Sequence, residues 1–238
     1  MIKTYLIELQ NAPILEQLQL EEAIVRASDD NYILINVGSP PAIVLGISQS
    51  PEEMVDLKKA SNLNIPLIRR FSGGGTVVVD EDTLFVTYIF NAKEHPFDPF
   101  PKPIAEWTEK IYQKAFPHLP FTLRENDYCL HDRKIGGNAQ YLRKERWLHH
   151  TTLLFDYQKE RMDLLLHPKK APTYRQGREH GDFITTLSQS LSSKEDFVSA
   201  LKTTLFSLFD ITSTPAPTHL LSEPHRKSTT LITLEKNL

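Results

Sequence analysis

A single cysteine, Cys129, stands in the 238 residues. One thiol can form neither an intrachain disulfide nor a cysteine zinc cluster, so the fold has to rest on its own core, and a reducing, cytoplasmic setting is the expectation. Glycine is also sparse, nine in all, which makes any local cluster of it informative. No stretch approaches the roughly 18 consecutive apolar residues of a membrane span, and the start, MIKTYLIELQNAP, has no long apolar signal core. No membrane association is expected. The formal charge of −3 gives no bulk attraction to a polyanion, so nucleic acid is not an expected partner. What is present, 40% apolar and 24% charged residues, is the composition of an ordinary globular protein. Without repeats or low-complexity segments, the chain is expected to form one domain over residues 1–238, with a core to about residue 210 and a polar tail, 211–238, containing Pro215 and Pro217.

The order of apolar runs predicts an α+β chain with a mixed, mostly antiparallel sheet. Thr4 to Leu9 reads as a strand, and NAPILEQLQLEEAIVRAS then places Ile14, Leu15, Leu18 and Val25 at helical spacing behind Pro13. YILINV and AIVLGI read as a strand pair around Ser39, Pro40 and Pro41. SPEEMVDLKKAS has a capping-box pattern, with Ser50 as N-cap, Pro51 first and Glu53 third, and predicts one short helix. IPLIRRF, TVVVD and DTLFVTYIF predict strands, the first two separated by glycines and the last two by a turn around Glu81. A proline-rich connection, 91–103, leads to IAEWTEKIYQKAF, whose Ile104, Trp107, Ile111 and Ala115 share one helical face. FTLRENDYCL, KIGGNAQYL and WLHHTTLLFDY predict three antiparallel strands joined by turns at 131–133 and 143–146. A basic loop, 167–182, and a helix from Lys194 to Leu208 follow.

RRFSGGGTVVVD, residues 69–80, concentrates three glycines between two apolar strands. Such a junction gives up side-chain packing, which points to a close backbone approach or to N–H groups turned on an anion, with Arg69 or Arg70 as a cation beside it. Neither a dinucleotide fingerprint nor a P-loop is present. A second glycine pair, Gly136-Gly137, lies inside a strand next to Lys134. The two predicted turns set a register that puts Asp127 beside Gly137, Asn138 between Asn126 and Thr151, and His150 beside Ala139. Asn126, Asp127, Asn138, His150 and Thr152 then gather on neighbouring strands, divided between the two faces of the sheet. His149 and His150 point apart and cannot share one metal. Taken alone, Lys134 reads as a surface lysine, Asp127 as a turn cap and a histidine as a core residue; their concurrence with two glycine junctions favours an anionic ligand.

RRFSGGGTVVVD, RENDYCLHDRKIGGNAQ and WLHHTTLLFDY, in this order and spacing, resemble the catalytic domain of the lipoate–protein ligase family, which is related to biotin protein ligases. HPKKAPTYRQGREHGDF is similar to a short, plant-like branch of it. The resemblance implies a biotin/lipoate ligase fold, with ATP, Mg²⁺ and lipoate (or octanoate) as cofactor and substrates. It implies acceptor lysines on the lipoyl domains of 2-oxoacid dehydrogenase complexes or on glycine cleavage H protein. Lys134 matches the lysine that contacts acyl carbonyl and phosphate, and is the implied catalytic residue. Gly73, Gly74 and Gly75, with Val77, would wrap the acyl-adenylate, and Arg70 and Ser72 would place its carboxyl end. Asn126 and Asp127 match a pair near phosphate and magnesium, with Asp127 the implied metal ligand, while Asn138, Ala139, His150 and Thr152 match positions lining the acyl-adenylate. Leu18 and Glu21 would lie along the acyl tail.

Two positions depart from the family pattern: Val79 stands where a histidine is common, and Thr151 replaces a glycine. The larger bacterial ligases carry a further carboxyl-terminal domain for which the residues after Thr152 leave no room, so adenylation is expected to need a separate accessory protein or to be weak. Two other functions stay open. A lipoyl or octanoyl transferase would take a preactivated acyl group, with Cys129 the one candidate thiol for a cysteine-dependent version. A binding module would hold an acyl group or its carrier without chemistry. Lys169, Lys170, Arg175 and Arg178 could meet an acidic acceptor or simply form a solvated face.

Overall fold

A computed structural model describes residues 1–95, 97–166 and 172–233. Lys169 and Lys170 lie outside the described residues. The order begins β1 (Lys3–Gln10), α1 (Ile14–Ala27), β2 (Tyr32–Val37), β3 (Ala42–Leu45), α2 (Pro51–Met54), α3 (Leu57–Asn62), β4 (Leu67–Arg69), β5 (Val77–Val79) and β6 (Thr83–Asn91). It continues with α4 (Pro101–Ala115), β7 (Phe121–Arg124), β8 (Asp127–Leu130), β9 (Arg133–Leu142) and β10 (Arg146–Leu154). Last come α5 (Lys159–Met162), α6 (His180–Phe183), α7 (Lys194–Leu208), β11 (Asp210–Ser213) and β12 (Thr230–Ile232).

Eight strands form the central sheet in the order β11-β1-β2-β6-β10-β9-β8-β7, and four form a smaller one, β12-β4-β3-β5. The fold is α+β with a mixed, mostly antiparallel sheet, as expected. β2 is buried along its whole length and β6 over eight of its nine residues, because both faces of the central sheet are covered. On one face α4 and α7 pack Ile104, Ile111, Phe197 and Leu201 against Ile33, Val86 and Tyr88. On the other, α1 brings Leu20 and Ile24 against Leu34, Ile89 and Leu148, while Ile14 and Leu18 meet the small sheet through Val44 and Val79. No helix among the described residues is long and apolar enough to cross a membrane.

Several local expectations need correction. β2 and β3 do not pair; each belongs to a different sheet. The run SPEEMVDLKKAS breaks into α2 and α3, and the Ser50 hydroxyl turns to Glu52 instead of capping, while Asp56 caps α3 by accepting Lys59 N–H at 3.0 Å. FTLRENDYCL is a tight hairpin rather than one strand, with Glu125 in the left-handed region (φ 54°) between β7 and β8. The described part of the tail, to residue 233, is built into the fold: β11 pairs with β1, Leu220 packs on α1, and β12 extends the small sheet along β4. The buried Glu22 carboxylate secures it by accepting the N–H groups of Ser228 and Thr229.

Candidate active site

Between the two sheets lies a cavity of about 530 Å³, walled by α1, the glycine junction, β9 and β10. The topology explains the glycines. β4 and β5 flank β3 on opposite sides, so the chain leaving Arg69 must cross the end of β3 to reach Val77. At the crossing Gly46 and Gly74 touch so closely that a Cβ on Gly46 would lie 2.2 Å from the Gly74 carbonyl oxygen. Gly74 itself has φ +105°, accessible in practice to glycine alone. Added Cβ atoms on Gly73 and Gly75 would meet nothing within 4 Å, leaving their backbone open beside the cavity.

The loop is held from beneath by Arg70. This buried guanidinium donates from Nη2 to the carbonyls of Gly73 and Gly75, both at 2.8 Å, and from Nε to Ser72 Oγ at 3.1 Å. Burial lowers its pKa to about 10, opposed by the Glu21 charge, so it remains a cation at neutral pH. Ser72 Oγ lies 2.9 Å from His150 Nε2, and His150 Nδ1 lies 2.8 Å from Glu21 Oε2. Thr87 and Gln17 donate to the other Glu21 oxygen at 2.7 and 2.8 Å. Serine, histidine and carboxylate thus have the connectivity of a hydrolytic triad. Ser72, however, is fully buried, does not line the cavity and accepts the Arg70 Nε–H. The chain works as a buried polar relay from α1 to the glycine loop.

Opposite the loop, Lys134 is the second residue of β9. A regular strand would place Lys134 on the face of Gly136 and Asn138, away from Asp127 and His150. A register shift between Tyr128 and Cys129 leaves Ile135 as an extra residue, so that Lys134 opposes Cys129 while Asp127 still opposes Gly137. The bulge turns Lys134 onto the face of Asp127. There Lys134 Nζ forms an ion pair with Asp127 Oδ1 at 2.8 Å, and Tyr174 Oη donates to Asp127 Oδ2 at 2.8 Å. An added Cβ on Gly137 would lie 3.5 Å from Lys134 Nζ, and one on Gly74 would lie 3.2 Å from Ala139 Cβ. Gly137 and Ala139 are alternate residues on one face of β9, about 7 Å apart. The cation and the bare loop therefore meet over the same short piece of strand.

Comparison with known proteins places this geometry. The family model described as the lipoyl protein ligase A/B catalytic domain matches residues 13–206. The chain belongs to this family. Lipoate-protein ligase LplJ of Bacillus subtilis is 30% identical over 207 residues, covering 83% of this chain and 61% of the relative. A Plasmodium falciparum protein named inactive lipoate–protein ligase 2 is 27% identical over 249 residues, covering 79% of this chain and 64% of the relative. The chain thus spans a little under two thirds of the length of both. Among solved structures, a bi-partite lipoate protein ligase from Thermoplasma acidophilum, described with its E2 lipoyl domain, superposes with a TM-score of 0.77 at 18% identity, over 93% of this chain and 91% of that one. A lipoate-protein ligase A bound with ATP gives 0.75 at 18% identity, over 93% of each chain. These likenesses establish the lipoyl ligase fold.

Of the positions matched to the lipoyl ligases, Leu18, Arg70, Gly73, Gly74, Gly75, Val77, Asn126, Asp127, Lys134, Asn138, Ala139, His150 and Thr152 all line the one cavity. Glu21 and Ser72 do not; they stand behind its wall, on either side of His150. Arg70 is directed at the glycine carbonyls, so its Nε and Nη2 serve the loop. Asn138 is locked by Thr151 Oγ1, which donates to its Oδ1 at 2.7 Å, and by its own bond to the Asn126 carbonyl at 3.1 Å. Cys129 is fully buried, its thiol donates to Tyr174 Oη at 3.6 Å, and burial pushes its pKa up, which disfavours the thiolate a cysteine-dependent acyl transfer would need. His149 is the core histidine, neutral, its pKa lowered to about 3 by burial and by His150. Sequence reasoning passed over Gly46, Tyr174 and the buried Glu22; the glycine inside the apolar run AIVLGI was the available signal for the first.

Magnesium has no ready cage here. Among the described residues no group of three or more His, Cys, Asp or Glu is placed to hold a metal ion. Both oxygens of Asp127 already have partners. The donor set does not fit a protein-held Mg²⁺. Arg175 and Arg178 do not form a solvated basic face either: both guanidinium groups stack on Phe183, and Arg178 pairs with Asp132 at 3.0 Å.

Proposed function

We propose that the protein condenses the carboxyl group of lipoate or octanoate with ATP, releasing pyrophosphate, and passes the acyl group from the resulting acyl-AMP to a lysine on a lipoyl acceptor domain. The observation that carries this reading is the position of Lys134, which faces the glycine loop across one cavity with its ammonium fixed by Asp127. The first step brings a carboxylate oxygen onto the α-phosphorus, two anions that repel each other at contact distance. A preset ammonium between them neutralises that repulsion and the charge that builds up in the transition state. The open backbone at Gly73 and Gly75 gives the mixed anhydride room to lie against the main chain, and Leu18 and Val77 offer apolar wall to the acyl tail. In the second step the acceptor amine attacks the carbonyl carbon, AMP leaves, and the amine loses its proton. Lys134 then stabilises the tetrahedral oxyanion from the same place.

Acceptors of the class carried by 2-oxoacid dehydrogenase complexes or glycine cleavage H protein, ATP as nucleotide and a cytoplasmic setting belong to this proposal. The test is incubation of the full chain with ATP, Mg²⁺ and lipoate or octanoate, with mass spectrometry first for acyl-AMP and then for a modified lysine on an added lipoyl domain. Lys134→Ala is expected to remain folded and to give neither product. Normal turnover by that variant would refute the mechanism. If the wild-type chain releases no pyrophosphate but modifies the acceptor when acyl-AMP is supplied, it is a transferase whose donor comes from a separate adenylating protein.

A further inference from the structure

The stretch PTYRQGREHGDF, residues 172–183, has no part in the chemistry above, yet together with Ile184 and Thr185 it links one member of the ion pair to the other. At its start Glu125 Oε1 accepts the N–H groups of Thr173 at 2.7 Å and Tyr174 at 3.4 Å, and the Tyr174 hydroxyl donates to Asp127 Oδ2 at 2.8 Å. At its end Ile184 bridges to Lys134, and Thr185 N–H donates to the Lys134 carbonyl at 2.8 Å. Just before that end, Arg133 Nη2 donates to the Gly181 carbonyl at 3.0 Å. The segment also closes on itself, with the rings of Tyr174 and Phe183 5.1 Å apart and the Arg175 and Arg178 guanidinium groups over Phe183. It is a strap fastened at both Asp127 and Lys134.

We infer that Tyr174 is a positioning residue for Lys134, fixing the Asp127 carboxylate whose other oxygen aims the ammonium into the cavity. The kinetic consequence rests on the acyl-activating reading of the site; the geometry does not. A carboxylate turns easily about its terminal torsion, so a single contact to Lys134 leaves both groups loose. The Tyr174 hydroxyl supplies the second anchor. Its own oxygen accepts from the Cys129 thiol at 3.6 Å, which directs the hydroxyl proton towards Asp127. Burial and the neighbouring carboxylate keep the phenol far above its usual range, so it stays a neutral donor. The strap does not depend on that hydroxyl to stay in place, since Glu125, Arg133, Arg178 and Thr185 hold it by other bonds.

Tyr174→Phe keeps the ring and removes only the hydroxyl, and the full chain is used throughout. Two readouts are followed: the kinetics of acyl-AMP formation, and the rate at which dilute acetic anhydride acetylates Lys134, measured by mass spectrometry of its peptide. The expected result is a kcat lowered about tenfold with KM for ATP and lipoate little changed, since a hydrogen bond to a charged group is lost but no substrate contact. Lys134 should acetylate at least about threefold faster, because its ammonium is no longer held in a fixed ion pair. The double variant Asp127→Asn/Tyr174→Phe should acetylate no faster than Asp127→Asn alone, as expected for two residues in one chain of contacts. A folded Tyr174→Phe protein with wild-type acetylation overturns the inference whatever its turnover, and so does an unchanged kcat in an active enzyme. A wild-type chain that makes no acyl-AMP would instead sink the proposed function, with the acetylation arm still deciding the role of Tyr174.

Discussion

Gly46→Ala perturbs the glycine loop without altering any residue of the loop itself. Gly46 does not have a positive φ, so alanine fits its backbone and any effect comes from the methyl group. That methyl would sit 2.2 Å from the Gly74 carbonyl oxygen and 3.2 Å from its carbon. Ordinary contact needs more than 3 Å, so the loop would have to retreat by roughly 1 Å against close-packed surroundings. Retreat breaks the bonds by which Arg70 holds the Gly73 and Gly75 carbonyls at 2.8 Å and leaves a buried guanidinium poorly paired. Overpacking of this size costs about 1–3 kcal/mol of stability. A shift of about 1 Å in a substrate-positioning loop can lower turnover ~100-fold. Urea denaturation measures the first effect, and the rate of acyl-AMP formation by pyrophosphate release measures the second. A Gly46→Ala protein with the wild-type unfolding midpoint and wild-type turnover would show that the loop is not held at this crossing, and the account of the triplet would fail with it.

Arg70→Lys keeps the charge but replaces a planar fork with a compact ammonium that cannot hold two carbonyls and a hydroxyl together. Substrate KM should rise several-fold with a stability loss of about 1–2 kcal/mol; an unchanged KM would mean that the loop needs no clamp. His149 carries a pH signature: its folded pKa of about 3 lies below its ordinary 6.5, so its contribution is complete above pH 6.5 and is lost as pH falls towards 3. Between pH 7.5 and 4.5 the wild type should lose about 2–3 kcal/mol more than His149→Gln in urea titrations, and equal losses would refute the assignment.

The geometry at His149 shows why a second proton is unwelcome there. Gln140 Nε2 donates to the Pro101 carbonyl at 2.9 Å, which fixes it as the nitrogen of the amide, and it lies 2.8 Å from His149 Nδ1. Nδ1 must therefore accept, and the ring proton sits on Nε2 among the hydroxyls of Thr108, Tyr128 and Thr151, each 3.3 Å away. His95, whose pKa burial lowers to about 4, adds acid sensitivity of the same sign, but it is present in both proteins and cancels in the comparison.

Local chemistry made the hairpin region readable in advance. The polar turns after β8 and β9 fix the pairing, and Asp127 opposite Gly137, Asn138 opposite Thr151 and His150 opposite Ala139 are all observed. Helices α1 and α4 were legible from the spacing of Ile14, Leu18, Ile104 and Ile111. Non-local features were not. The partition of β2 and β3 between two sheets depends on which edges close against α1, and no dipeptide signal records it. Nor does a sequence pattern state that Ile135 is extra, yet that residue decides which face Lys134 takes. Glu21, Glu22 and Gln17 break the amphipathic pattern of α1 because they are buried for their partners, not in spite of their polarity.

Membership of the lipoyl ligase family does not by itself carry activity, since one relative at 27% identity bears the name of an inactive ligase. A site can be altered by features too small to change the fold. Three such features are visible here, each depending on one or two residues: the bulge at Ile135 that turns Lys134, the Gly46–Gly74 crossing that seats the loop, and the Asp127–Tyr174 contact that fixes the ion pair. A substitution in any of them would leave the eight-stranded sheet and its core in place. The departures from the family pattern fall elsewhere. Thr151 turns its hydroxyl to Asn138 on the face of His149, and Val79 packs fully buried beside Ile14 and Phe85, so neither touches the Lys134–Asp127 pair. Neither departure disturbs the three features that the proposed adenylation would use, and the pyrophosphate assay tests that proposal directly.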